Sequence, residues 1–220
     1  MVTINKSTFS FLSELKMNNN REWFLENQLK YKEARFNFDT FIQKVIDGIV
    51  EFDPILKGLE SKNCVFRINR DIRFSHDKSP YKANFGAFIV RGGKKNGEKF
   101  AGYYLHIQPG ECFIAGGAYM PRTPWLSAIR EKIDDQPEQF KKILKNKEFI
   151  KYFKVLEGEK LKKPPKGFAD DNPNIELLKH KSYLVMHYVS EKQIIAPDYY
   201  SHVTKVLKAM KPLNDFLNDL

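Results

Sequence analysis

The sequence predicts an α+β fold, a mainly antiparallel sheet packed with N-terminal, middle and C-terminal helices. Three observations predict it. Apolar side chains recur at helical offsets from residue 7 to about 52 and again after residue 123. The middle of the chain, 64–118, switches to a period of two and is punctuated by turn residues, as a meander would be. A further strand near 183–189 is followed by a helical run to the end. Helices, then strands, then helices suit α+β better than a doubly wound sheet. The 220 residues are expected to form one domain, 1–220.

The elements follow in order. Phe9, Leu12 and Phe11, Leu15 mark a short helix over 7–16. Asn18, Asn19 and Asn20 break it. Asn19 then serves as N-cap of a second helix, with Glu22 three residues on as in a capping box. Phe38, Phe41, Ile42, Val45, Ile46 and Ile49 extend its apolar stripe to about Phe52, before Pro54. Cys64, Phe66 and Ile68 alternate with Val65, Arg67 and Asn69, which predicts a first strand. Residues 85–91 and 100–107 form a hairpin across a glycine- and lysine-rich tip. Pro109 and Gly110 suit the two central positions of a type II turn from Gln108 to Glu111. That turn sets the register. Tyr103, Leu105, Ile107, Cys112 and Ile114 share the core face; Tyr104, His106, Phe113 and Ala115 share the other. The second face is also apolar. Either helices cover it or it lines a groove, and coverage is the expected arrangement because helices are plentiful. Thr123 and Pro124 open a helix to about Asp135, and a further helix spans about 138–145. Residues 162–173 read as a loop, 183–189 as a strand and 197–220 as a helix broken near Pro212.

An apolar share of 42%, with 18 Phe and 10 Tyr, supports a sizeable core and excludes a disordered chain. The net charge is +10, and residues 62–99 alone carry ten Lys or Arg against three Asp or Glu. That balance points to anionic partners or to solubility, and says nothing of fold. No apolar run approaches the ~20 residues of a membrane span, and the N-terminus lacks a signal-like apolar stretch. A soluble, cytoplasmic protein with no membrane partner is therefore expected. Cys64 and Cys112 sit singly in apolar runs, without zinc-ligand spacing, and read as buried thiols. His106, His180, His187 and His202 show no HxH or HExxH pattern, so no metal site and no cofactor are expected. No phosphate-binding glycine loop or GxSxG elbow is present. Trp23 and Trp125 are expected to pack in the core.

The feature that asks for a function is Arg67-Ile-Asn-Arg-Asp-Ile-Arg-Phe-Ser-His-Asp-Lys-Ser-Pro-Tyr-Lys82. Arginine offers a planar fork of donors that suits phosphate and carboxylate. Arg67, Arg70 and Arg73 recur every third residue, and Lys78 and Lys82 add point charges. His76 and Asp77 can supply acid–base chemistry. Asp71, between basic residues, is a candidate structural ion pair.

Three pieces of the chain together resemble DUF2461, a bacterial family of unknown function. They are Asn19-Asn-Arg-Glu-Trp-Phe24, Arg70 through Lys82, and Pro165-Lys-Gly-Phe-Ala-Asp-Asp-Asn-Pro173 followed by Leu177-Leu-Lys-His-Lys-Ser182. The resemblance spans nearly the whole chain and implies one domain with no assigned activity. It carries over no catalytic residue. Where the family pattern has His between Asp and Pro in the third piece, this chain has Asn172.

Three classes of function fit. The first is a site for a phosphate- or carboxylate-bearing small molecule at Arg67, Arg70, Arg73, His76, Asp77, Lys78 and Lys82, with or without a reaction. The second is a nucleic-acid-binding module on the basic face 62–99, without a recognised motif. The third is an interaction protein whose arginines are buried in ion pairs. Arg70, Asp71 and Arg73 are expected to be partly structural, and Lys78, Lys82 and His76 to face an anion.

Overall fold

The computed structural model describes residues 3–220. It opens with three helices: α1 (Lys6–Met17), α2 (Arg21–Glu26) and α3 (Gln28–Val50). The single long second helix of the sequence reading is thus two, interrupted at Asn27. Asn27 ends α2 and precedes α3, and its side-chain amide donates back to the Trp23 carbonyl at 2.9 Å. The cap lies one residue later than expected. Asn20 Oδ1 accepts from the Trp23 N–H at 2.9 Å.

Asn19 is used elsewhere. Its Nδ2 donates to the Tyr81 carbonyl at 2.9 Å and its Oδ1 accepts from the Tyr81 N–H at 3.1 Å. One side-chain amide thereby stands in for a neighbouring strand and ties the α1–α2 junction to the basic segment. Tyr81 is buried with its ring stacked on Phe24, 3.9 Å between centroids. Asn19→Ala removes both bonds. It is expected to cost about 2 kcal/mol, at roughly 1 kcal/mol per bond. A urea titration should show a lower midpoint at unchanged slope; an unshifted midpoint would mean the clamp contributes nothing.

A 3₁₀ turn at Pro54–Leu56 leads to the short α4 (Ser61–Cys64). This corrects the strand expected over 64–69. Cys64 closes a helical turn, and the extended chain beyond it pairs its backbone with the sheet at the isolated Val65–Ala87 bridge, with Asn69–Tyr81 pairing further on. Burial does not follow the alternation: the neighbours Cys64 and Val65 are both at most 2% exposed, Phe66 is half-buried and Ile68 is 3% exposed. Burying these apolar residues does not require a continuous ladder.

The sheet has four strands in sequence order, all antiparallel: β1 (Phe85–Ile89), β2 (Gly102–Ile107), β3 (Phe113–Ala118) and β4 (Tyr183–Tyr188). The turn between β2 and β3 closes as predicted, with the Glu111 N–H on the Gln108 carbonyl at 2.9 Å and Gly110 at φ 87°. Leu105 consequently faces Ile114, and His106 faces Phe113. Both cysteines are free and buried, and Cys112 Sγ donates to the Gln108 carbonyl inside the turn.

Between β3 and β4 lie α5 (Thr123–Asp135), α6 (Pro137–Leu144), α7 (Lys147–Tyr152), a long loop and α8 (Ile175–Leu178). After β4 come α9 (Glu191–Ile194) and α10 (Tyr199–Asn218). The break expected at Pro212 is absent. Leu213, Phe216 and Leu217 beyond it are buried, and Asn218 pairs with both backbone groups of Ala101 at 2.8 and 3.0 Å. Those contacts hold the last turns in line although Pro212 donates no hydrogen bond.

Helix α3 packs on β1 and α10 on β3, burying Phe85, Ala87, Ile89, Tyr103, Leu105, Ile107, Ile114 and Val185. The opposite face lines an open groove. Coverage of that face by helices, the expectation from the sequence, is corrected: the long helices of the described residues stack on one side of the sheet.

Candidate functional site

The basic segment 67–82 is an irregular crossover between the Asn19 clamp and β1, and it is folded largely by its own charges. Arg70, half-buried, forms an ion pair with Asp77 through Nη1 and donates to Ser75 Oγ and the Ser79 carbonyl, each at 3.3 Å. Asp77 accepts from the Ser79 N–H at 2.9 Å and hydroxyl at 2.6 Å. The Ser79 hydroxyl and N–H, then Arg70, hold the Asp77 carboxyl down to about 2. Arg73 grips Asp71 through Nε at 2.9 Å and Nη2 at 2.7 Å, and this pair is exposed. Arg73 is the largest cause lowering Asp71 below the usual carboxylate range. Lys78 donates to the Ile72 carbonyl at 3.1 Å. Arg67 and His76 are exposed, and neither side chain enters an ion pair among the described residues.

Lys82 differs from these. Its Nζ donates to the Arg67 carbonyl at 3.1 Å and lies 5.5 Å from the centre of the Phe66 ring, at the edge of the groove. Burial, then the nearby Arg67, push its ammonium below the ordinary lysine value.

The groove encloses about 960 Å³, near the top of the range for small-molecule sites. Its floor is the outer face of the sheet: Phe88 from β1, Tyr104 and His106 from β2, Phe113 and Ala115 from β3, Leu184 and Met186 from β4. The His106 ring stacks on Phe113, 4.6 Å between centroids and 8° between planes. The Tyr104 hydroxyl and His106 Nδ1 are 3.0 Å apart. Burial raises the Tyr104 hydroxyl to about 12, so it keeps its proton and donates to Nδ1; the His106 tautomer is then Nε2–H. Burial also lowers the His106 pKa, so the imidazole is neutral near pH 7.

Strand direction sets the two ends. Lys94, Lys95 and Glu98 lie in the β1–β2 hairpin tip, where β2 starts. Gln108 and Glu111 lie in the turn where β2 stops, and Lys82 and Asn84 reach that same end just before β1. Glu98 is occupied by Arg122, and Glu111 accepts from Gln108 Nε2 at 3.2 Å. Tyr119 and Met120, both 68% exposed, form the flank beyond β3.

Two further polar clusters escape sequence reading because they join distant segments. Buried Arg130 on α5 donates to the Leu178 carbonyl at 2.8 Å and the His180 carbonyl at 3.0 Å, locking α8 and the entry to β4. His187 Nε2 on β4 meets His202 Nε2 on α10 at 3.0 Å. Among the described residues, no group of three or more His, Cys, Asp or Glu is arranged to hold a metal ion. No helix among them is long and apolar enough to cross a membrane.

A family model described as "Conserved hypothetical protein (DUF2461)" matches residues 7–216. The chain belongs to the DUF2461 family. No curated protein and no solved structure matches it. The DUF2461 match takes in all three pieces noted in the sequence, and the structure gives two of them one task. The first clamps Tyr81 through Asn19, and the second ends in that same clamp and delivers Lys82 to the groove. The third braces its loop. Asn172 Nδ2 donates to Asp134 at 2.7 Å, and Asn172 Oδ1 accepts from the Asn174 N–H at 2.8 Å.

Proposed function

We propose that this protein binds an elongated anionic ligand with a flat apolar body, lying along the open face of its sheet. The observation that carries the reading is an aromatic floor between cations at both ends. Lys94 and Lys95 stand at the start of β2, and Lys82 at its finish. A strand of six residues spans roughly 20 Å at about 3.3 Å per residue. Phosphate or carboxylate groups suit the lysines, and planar rings suit Tyr104, His106 and Phe113. Nucleotides and short single strands of nucleic acid combine both features, with stacking worth about 1–3 kcal/mol per base.

This reading shifts the site within the basic segment. Arg70 and Asp77 are engaged with each other, and Arg73 with Asp71, so the segment contributes Lys82 and the nearby Arg67. Fluorescent oligonucleotides of one to six residues, and phosphorylated metabolites of similar length, should be titrated across a salt series. Affinity is expected to rise with length and level off once the groove is spanned. Lys82→Ala with Lys95→Ala should weaken binding about tenfold or more and flatten the salt dependence. Lys78→Ala with His76→Ala should leave it unchanged. Equal losses from the two pairs would place the anion on the 67–82 segment itself. Absence of binding at low salt would remove the proposal.

A further inference from the structure

We propose that His187 and His202 form a two-imidazole site for a divalent transition-metal ion, separate from the groove and independent of its ligand. The two residues are fifteen apart in sequence and come from different elements, β4 and α10. His187 belongs to the helix-packed face of the sheet, opposite the groove floor. Their Nε2 atoms approach to 3.0 Å. Metal–imidazole bonds of about 2.0–2.1 Å place two nitrogens about 2.9 Å apart at a right angle and about 3.3 Å apart at a tetrahedral angle. The observed spacing falls between these limits, so both nitrogens can ligate one ion with little movement.

The remaining groups support that chemistry. His187 Nδ1 lies 3.3 Å from the Tyr152 carbonyl. A carbonyl only accepts, so Nδ1 carries the proton and Nε2 presents its lone pair. This is the outer contact that metal-bound histidines ordinarily make. Without metal, His202 Nε2–H donates to that lone pair. With metal, the proton resides on His202 Nδ1 and both Nε2 lone pairs converge. Both residues are half-buried and therefore reachable from solvent. The Tyr152 ring stands edge-on to both imidazoles, at 5.5 and 6.1 Å. Asp198 lies one helical turn before His202 and is the nearby carboxylate acting on it, against Lys205. With two protein nitrogens, the other positions belong to water. The expected order follows imidazole preference, with copper above nickel and manganese or magnesium weakest.

The test uses the untagged full-length protein. Calorimetric titration with Cu²⁺, Ni²⁺, Zn²⁺ and Mg²⁺ should give one transition-metal ion per chain in that order of affinity, and no Mg²⁺ binding. The electron paramagnetic resonance spectrum of the Cu²⁺ form should show coupling to two imidazole nitrogens. His187→Gln and His202→Gln should each weaken binding by roughly tenfold or more and remove one nitrogen coupling. His76→Gln should change neither. Unaltered affinity in both Gln variants, or a copper spectrum without nitrogen coupling, would overturn the site. A copper spectrum of the unmutated protein that lacks coupling to two nitrogens overturns the site even where a variant does not fold. Loss of oligonucleotide binding in the groove variants has no bearing on this result.

Discussion

Gly117→Ala is expected to remove a large part of the stability of the fold, at least about 3–4 kcal/mol of the 5–15 kcal/mol typical of a folded domain. Gly117 lies in β3, between Gly102 of β2 and Leu184 of β4. Its φ is 109°, a conformation that side chains strongly disfavour. A Cβ there would stand 2.1 Å from the Tyr183 carbonyl oxygen and 2.9 Å from the Leu184 Cα. Both obstacles are backbone, so no rotamer change relieves them. The β3–β4 ladder must open instead. Gly110 is the matched control: its φ is 87°, but nothing among the described residues lies within 4 Å of the added carbon. Gly110→Ala should cost only the backbone term, about 1–2 kcal/mol. Urea unfolding followed by circular dichroism gives both numbers. Equal losses at the two positions would show that the close approach of β4 is not what makes Gly117 necessary.

The part of the fold that could be read from the sequence was local. Pro109-Gly110 determined a turn, the turn determined which of Tyr103 and Tyr104 faces the core, and the register of β2 and β3 followed. Apart from the break at Asn27, whose amide turns back on Trp23 four residues before it, the corrected elements are places where a distant contact outweighs a local preference. Asn19 is as good a cap as Asn20 by composition, but its amide is taken by Tyr81, 62 residues away. Pro212 should end a helix, but Leu213, Phe216 and Leu217 must reach the core from the turns beyond it. Residues 64–69 alternate like a strand in sequence, yet the adjacent Cys64 and Val65 are both buried, and the segment pairs with β1 through the isolated Val65–Ala87 bridge.

The candidate site divides along the same line. The charge of residues 67–82 was visible, and so was the apolar character of the Tyr104–His106 face. Their relation was not. Whether that face is covered depends on where α3 and α10 dock, and both lie on the other side. The arginines invited an anion, but Asp77 and Asp71 sit within the same segment and take Arg70 and Arg73 first. Lys82 has no carboxylate partner among the described residues and faces the groove. The His187–His202 contact depends on the crossing of β4 with α10, and no spacing rule within one element can anticipate it.

Acid should destabilise the protein well above the pH at which its carboxylates titrate, and His180 should be the main cause. His180 is 4% exposed, with its ring 5.8 Å from Tyr183 and its Nδ1 buried without a hydrogen-bond partner among the described residues. Burial is the largest cause lowering its pKa from 6.5 to about 4; Lys160 lowers it further, and Glu176 opposes them. Arg130 adds positive charge nearby, against the His180 carbonyl. In the unfolded chain the imidazole titrates near 6.5. Between these values the unfolded state binds a proton that the folded state refuses. Stability is therefore full above about pH 6.5, falls as the pH drops through that window, and levels off below about 4. The displacement corresponds to about 3 kcal/mol. His180→Leu keeps comparable volume, leaves the backbone carbonyl for Arg130 and removes the proton site. Its urea midpoint should change much less between pH 7.5 and 4.5 than that of the parent. His106 is lowered as well and is common to both proteins, so the difference between them isolates His180. Parallel acid limbs in the two proteins would mean that His180 takes up its proton without opening the junction of α5, α8 and β4.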